Sequence, residues 1–111
     1  MPARHATIPL LLVLLLLALP TSGLAGKRVA LVIGNGAYAS SPLKNPVNDA
    51  RDVAAALKRL GFAVTLKTDA DMGTMLKALD AFGTGLRGAE AGVFYYAGHG
   101  VQVQGQNYLI P

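Results

Sequence analysis

Two side chains in this 111-residue sequence stand where acid–base or charge-recognition chemistry could be done. His99 sits between Gly98 and Gly100, directly after the apolar run Ala91-Gly92-Val93-Phe94-Tyr95-Tyr96-Ala97. An imidazole titrates near neutral pH, so it can take a proton and return it within one reaction. Glycine on both sides permits backbone angles that other residues resist and leaves little to cover the ring, so a tight turn with an accessible imidazole is expected. Asp49 follows Asn45 and Pro46 in what reads as the first turn of a helix. There a carboxylate either complements the helix dipole or faces the same cleft as His99, and Asn48 has the same two readings. Taken alone, both sites also have plain structural readings, since a lone loop histidine is commonly a solvated or hydrogen-bonded residue.

Other chemistry fits less well. Gly34-Asn35-Gly36-Ala37-Tyr38-Ala39 matches a relaxed G-x-G-x-x-A dinucleotide pattern. That pattern needs a helix to begin at once so that its N-terminus meets the pyrophosphate, and here a loop to Lys44 intervenes. A glycine turn leaving a buried strand is the better reading. No second histidine, cysteine or carboxylate pair stands at ligand spacing from His99, which disfavours a metal site. Tyr95 and Tyr96 read as strand packing.

The elements that must position these residues follow from periodicity. Residues 28–34 form a near-continuous β-branched apolar run stopped by Gly34, the pattern of a strand buried on both faces. Asn45 as N-cap and Pro46 at the first helical position open a helix with Val47, Ala50, Val53, Ala54, Leu57 and Leu60 at helical spacing, closed by Gly61. Residues 62–67 read as a second strand. Thr68, Asp69 and Asp71 are cap candidates for a second helix whose apolar face is Met72, Met75, Leu76, Leu79, Phe82 and Leu86. Residues 91–97 form a third strand, and 101–110 a small hairpin around Gly105. Strand, helix, strand, helix, strand predicts an α/β fold with parallel crossovers and the first strand central, in the order 2-1-3. The third strand, among the most apolar, would then lie at a bare sheet edge, which soluble domains avoid. A further strand is therefore expected beside it, and the abrupt apolar end at Tyr108-Leu109-Ile110-Pro111 predicts that the domain continues past these residues.

Composition narrows the function. With 10 Lys+Arg against 6 Asp+Glu the net charge is +4, and 52% of residues are hydrophobic, which excludes a disordered chain. Basic residues fall singly or in pairs without interleaved aromatics, so no nucleic-acid partner is expected. The sequence contains no cysteine, which excludes a disulfide framework, a thiolate metal site and a cysteine nucleophile within these residues.

At the N-terminus Arg4 and His5 precede the apolar run 10–19, followed by Pro20, Thr21, Ser22 and Gly23. That order predicts a secretory signal peptide over residues 1–25, cut after Ala25. The apolar run is about half the roughly 20 residues needed to span a bilayer, so no stable membrane anchor is expected after cleavage. The chain is accordingly read as exported, periplasmic or secreted, with residues 26–111 forming the domain.

Four blocks resemble the caspase-like cysteine peptidases, closest to the metacaspase and paracaspase branch and its bacterial relatives. They are residues 28–38, Leu43-Lys44-Asn45-Pro46-Val47-Asn48-Asp49-Ala50, Leu60-Gly61-Phe62-Ala63-Val64, and Val93-Phe94-Tyr95-Tyr96-Ala97-Gly98-His99-Gly100. The resemblance covers residues 27–111 and implies a three-layer caspase-like fold with a mostly parallel sheet, incomplete at its C-terminal side. It implies that His99 is the histidine of a His/Cys dyad and that the Gly100 N–H helps to form an oxyanion hole. It also implies that Asp49 lines a specificity pocket for peptides cleaved after Arg or Lys. A peptide or protein substrate is the implied partner. No cofactor is expected, with calcium activation left open. The family's thiol lies on the strand after the histidine strand, so these residues are expected to be the N-terminal part of the catalytic domain and inactive alone. The alternative is a caspase-fold binding or scaffold module without catalysis.

Overall fold

The computed structural model describes residues 7–18, 26–38 and 42–111. Arg4 and His5, the expected cut after Ala25, and the loop serines at 40 and 41 lie outside the described residues. In chain order the elements are β1 (Thr7–Ala18), β2 (Arg28–Gly34), α1 (Pro46–Arg59), β3 (Ala63–Thr68), α2 (Met72–Gly85), β4 (Ala91–Val103) and β5 (Gln106–Leu109).

The β-branched run of β2 is buried on both sides at Ala30, Leu31, Val32 and Ile33 because a helix covers each face of the sheet. β3 and β4 flank β2, both parallel to it, with Gly34 opposite Thr68 on one side and Ala97 on the other. The strand order expected from the sequence, with the first apolar strand central, is the order found. On one face Ala50 and Ala54 of α1, with Val53 and Leu57, pack on Val32, Tyr95 and Ala97. On the other, Met75 and Ala78 of α2, with Leu79 and Phe82, pack on Leu31, Ile33, Phe94 and Tyr96. The result is a three-layer α/β caspase-like fold.

Local expectations fare unevenly. α1 begins at Pro46 behind Asn45, but Asn45 has helical angles (φ −99°, ψ −21°) and makes no side-chain cap. A capping side chain reaches the first-turn N–H groups from an extended backbone, which Asn45 lacks. At the head of α2 Asp71 is the cap, accepting the Thr74 N–H at 2.8 Å. Met72 and Leu76, expected on the buried face, are instead 61% and 59% exposed. The helix seats on the narrower stripe of Met75, Ala78, Leu79 and Phe82, at spacings of three and four, leaving the other two residues at its margins.

The tight turn expected at Gly98-His99-Gly100 is absent, because β4 runs straight through these residues to Val103. It stays extended because it has hydrogen-bonding neighbours throughout: β1 pairs antiparallel with Gly92 to Val103, and β5 with Gly100 to Val103. The reversal comes at Gln104 and Gly105, with φ of +51° and +75°, the doubly left-handed pair of a two-residue hairpin, so the hairpin expected around Gly105 is present.

The bare edge expected beside the third strand is also corrected, since β1, built from the N-terminal apolar run, lies along it. Leu12 and Leu14 of β1 pack onto the α2-side core, whereas Leu11, Val13, Leu15, Leu16 and Leu17 remain more than half exposed. Among the described residues no helix is long and apolar enough to cross a membrane.

Candidate active site

Side chains along a strand alternate between faces, so His99 shares the α1 face with Tyr95 and Ala97, four and two residues back. Asp49, in the first turn of α1, covers the same face. Its charge reaches Tyr95, whose phenol is held above its ordinary pKa first by burial and then by this carboxylate. The fold therefore puts Asp49 and His99 on one face, at the carboxyl-end side of the parallel strands, where open α/β sheets collect their ligands.

His99 is less open than its glycine neighbours suggest. Its ring meets that of Tyr38 edge-on, with centroids 4.3 Å apart and planes at 64°. Nor do the glycines serve backbone freedom, because neither Gly98 nor Gly100 has a positive φ. They serve space. A Cβ on Gly98 would lie 2.6 Å from the Tyr96 hydroxyl and 2.8 Å from that of Tyr38, and one on Gly100 would lie 3.0 Å from Leu12.

The two phenols knit the site together. Tyr96 Oη donates to the His99 carbonyl at 2.7 Å. Tyr38 Oη donates to the Ile110 carbonyl at 2.8 Å and accepts the His99 N–H at 3.0 Å. The Ile110 N–H in turn donates to the His99 carbonyl at 3.0 Å. Tyr96 is fully buried, and that burial, reinforced by the contact with Tyr38, pushes its phenol far above the usual tyrosine range.

Backbone direction also alternates along β4. The N–H and C=O of His99 face the β2 and β5 side, toward Tyr38 and Ile110. The N–H of Gly100, next in the strand, therefore faces β1, where Leu10 lies opposite.

Two residues here escaped sequence reasoning. Asp69, expected only as a helix cap, instead turns back to the loop after β2, where its Oδ1 accepts the N–H groups of Gly36 (2.9 Å) and Ala37 (3.0 Å). That loop is the one that carries Tyr38. Asn35, 2% exposed, anchors the start of the loop by accepting the Ala70 N–H at 2.9 Å. The available signal was a polar Asn placed directly after a fully apolar strand, where a buried amide needs a partner. A cavity of about 190 Å³ is lined by Asn35, Ala37, Tyr38, Asp69, Ala70, Asp71 and Pro111, and neither His99 nor Asp49 belongs to its lining. Among the described residues no group of His, Cys, Asp and Glu is arranged to hold a metal ion.

Comparison with known proteins places this architecture. The family model "Caspase domain" matches residues 27–111, so the chain belongs to the caspase-domain family. The chain is also similar to the mucosa-associated lymphoid tissue lymphoma translocation protein 1 homolog of Mus musculus and to the corresponding Homo sapiens protein. Each is 37% identical over 89 residues, covering 79% of this chain and 11% of the relative. The chain thus spans about a tenth of the length of these relatives. No solved structure matches. The family is a peptidase family, and it is the one the four sequence blocks resemble.

Proposed function

We propose that the chain supplies the histidine half of a caspase-like cysteine endopeptidase site that cleaves after Arg or Lys. His99 takes the proton of a thiol and returns it to the leaving amine. The Gly100 N–H, which faces β1 in this arrangement, donates to the tetrahedral oxyanion only when β1 is off that edge. Asp49 pairs with the cationic side chain of the substrate peptide. The observation that carries this reading is the shared face of His99 and Asp49 beyond the parallel strands, within a caspase-family domain. Because the 111 residues contain no cysteine, the thiol comes from outside them, and by themselves they do not hydrolyse peptides. Residues 1–25 direct export.

The test is cleavage of fluorogenic peptides ending in Arg, Lys or Asp by the natural gene product, compared with residues 1–111 alone. Cleavage after Arg and Lys, lost in His99→Ala and stripped of its cationic preference in Asp49→Asn, supports the reading. Cleavage that survives His99→Ala defeats it. A second reading, a caspase-fold binding module, is favoured by the orientation of the Gly100 N–H toward β1. It predicts no cleavage by any form of the protein.

A further inference from the structure

The β4 ladder has a gap at His99. On this side of the strand β2 ends at Gly34, opposite Ala97, and β5 ends at Leu109, opposite Gly100. Asn35 N–H just beyond β2 still reaches the Ala97 carbonyl, and Ile110 N–H just beyond β5 reaches the His99 carbonyl. The His99 N–H falls between the two strands and has the Tyr38 hydroxyl as its acceptor.

From this geometry we propose that Tyr38 is the positioning residue of His99, standing in for the missing ladder neighbour and setting the imidazole. Its phenol does two separable things. The hydroxyl fixes the His99 backbone by accepting its N–H, while donating to the Ile110 carbonyl. The ring limits rotation of the imidazole by meeting it edge-on at 4.3 Å, a preferred geometry for aromatic pairs. Tyr38 is itself held, since Asp69 fastens Gly36 and Ala37, the residues just before it. The chain of support runs from Asp69 through the loop to Tyr38 and on to His99. Its catalytic meaning rests on the peptidase reading of His99.

The test needs no thiol and uses the 111-residue chain. Amide hydrogen exchange and two-dimensional NMR are recorded for the parent, Tyr38→Phe and Tyr38→Leu, with His99 ring signals identified by their loss in His99→Gln. In Tyr38→Phe the ring-to-ring cross-peaks between position 38 and His99 persist, while the His99 amide exchanges about fivefold faster or more, the equivalent of one lost hydrogen bond. In Tyr38→Leu both the cross-peaks and the protection disappear. The amide of Val32, deep in β2, keeps its parent rate, separating a local effect from general loosening. The proposal is overturned if the His99 amide in Tyr38→Phe exchanges at the parent rate, or if it and Val32 accelerate equally. Should Tyr38→Leu fail to fold, Tyr38→Phe decides alone. These signals do not depend on proteolysis, so failure of the peptidase reading and failure of the positioning role are told apart.

Discussion

At residue scale the candidate site is held together by two phenols whose hydroxyls serve backbone atoms. Tyr96 illustrates what that costs at high pH. An ordinary tyrosine ionises near 10.0, but burial and the Tyr38 contact keep the folded-state phenol neutral well beyond that point. The unfolded chain releases its proton near 10.0 while the folded chain does not, so this contribution to stability is complete below that pH and falls as pH rises above it. Tyr95 is raised in the same direction and adds to the fall. Base titration followed by circular dichroism is expected to show steeper loss of structure above pH 10 in the parent than in Tyr96→Phe; parallel curves would contradict this account. Crowding at the hydroxyls gives a second expectation. Gly98→Ala places a methyl against both oxygens and is expected to cost about 1–3 kcal/mol in urea unfolding, the usual range for overpacking. The placing of His99 and Asp49 on one side of the sheet was legible in the sequence. His99 and Asp49 were visible because their residue types and their positions after a strand and at a helix start carry chemical meaning. Tyr38 was visible only as one letter in a motif, since its role depends on where two other strands end, which local pattern does not encode.

At element scale, strand type was legible from β-branched runs and helix type from apolar spacing, whereas details set by tertiary neighbours were not. The passage of β4 through Gly98-His99-Gly100 is the clearest case. Glycine around a polar residue signals a turn locally, but flanking strands satisfied the extended backbone and overrode that signal. Close packing of α1 on β2 fixes another glycine. A Cβ on Gly34 would press on the Pro46 carbonyl and on the Ala50 methyl, both rigid parts of the opening two turns of α1. Gly34→Ala is therefore expected to displace the start of α1, and Asp49 with it. The readouts are a lowered melting temperature and, in an active product, a loss of preference for cationic peptides; full retention of both would refute the packing argument. The start of α2 responds to acid instead. The Thr74 N–H holds the Asp71 carboxyl below its ordinary 3.8, so its capping is complete above that value and fades as pH falls below it. Asp71→Ala removes this acid-side dependence of α2, which helical circular dichroism across the acid range will register.

At the scale of the whole molecule, the β4 edge of the sheet is covered by the N-terminal apolar segment. β1 covers the edge of β4 from Gly92 to Val103 and shields part of the α2-side core through Leu12 and Leu14. Deleting residues 1–25 bares that edge, and bared apolar edges pair with other chains. Sedimentation velocity of residues 26–111 is expected to show concentration-dependent association that the 111-residue chain lacks; a monomer at all concentrations would contradict it. The register of β1 joins residues near opposite ends of the chain, Thr7 with Val103 and Ala18 with Gly92. Pairings so distant in sequence carry the largest loop-closure cost and form late in folding. The twelve residues of β1 are thus the part of the sheet that is hardest to bring into place. Until they dock, the apolar edge of β4 is open to pairing with other chains, and once they have docked that edge is sealed inside the sheet. Which fate a given molecule meets depends on a race between pairing with another chain and the final strand pairing of its own, so a change that speeds docking of β1 lowers the yield of associated chains.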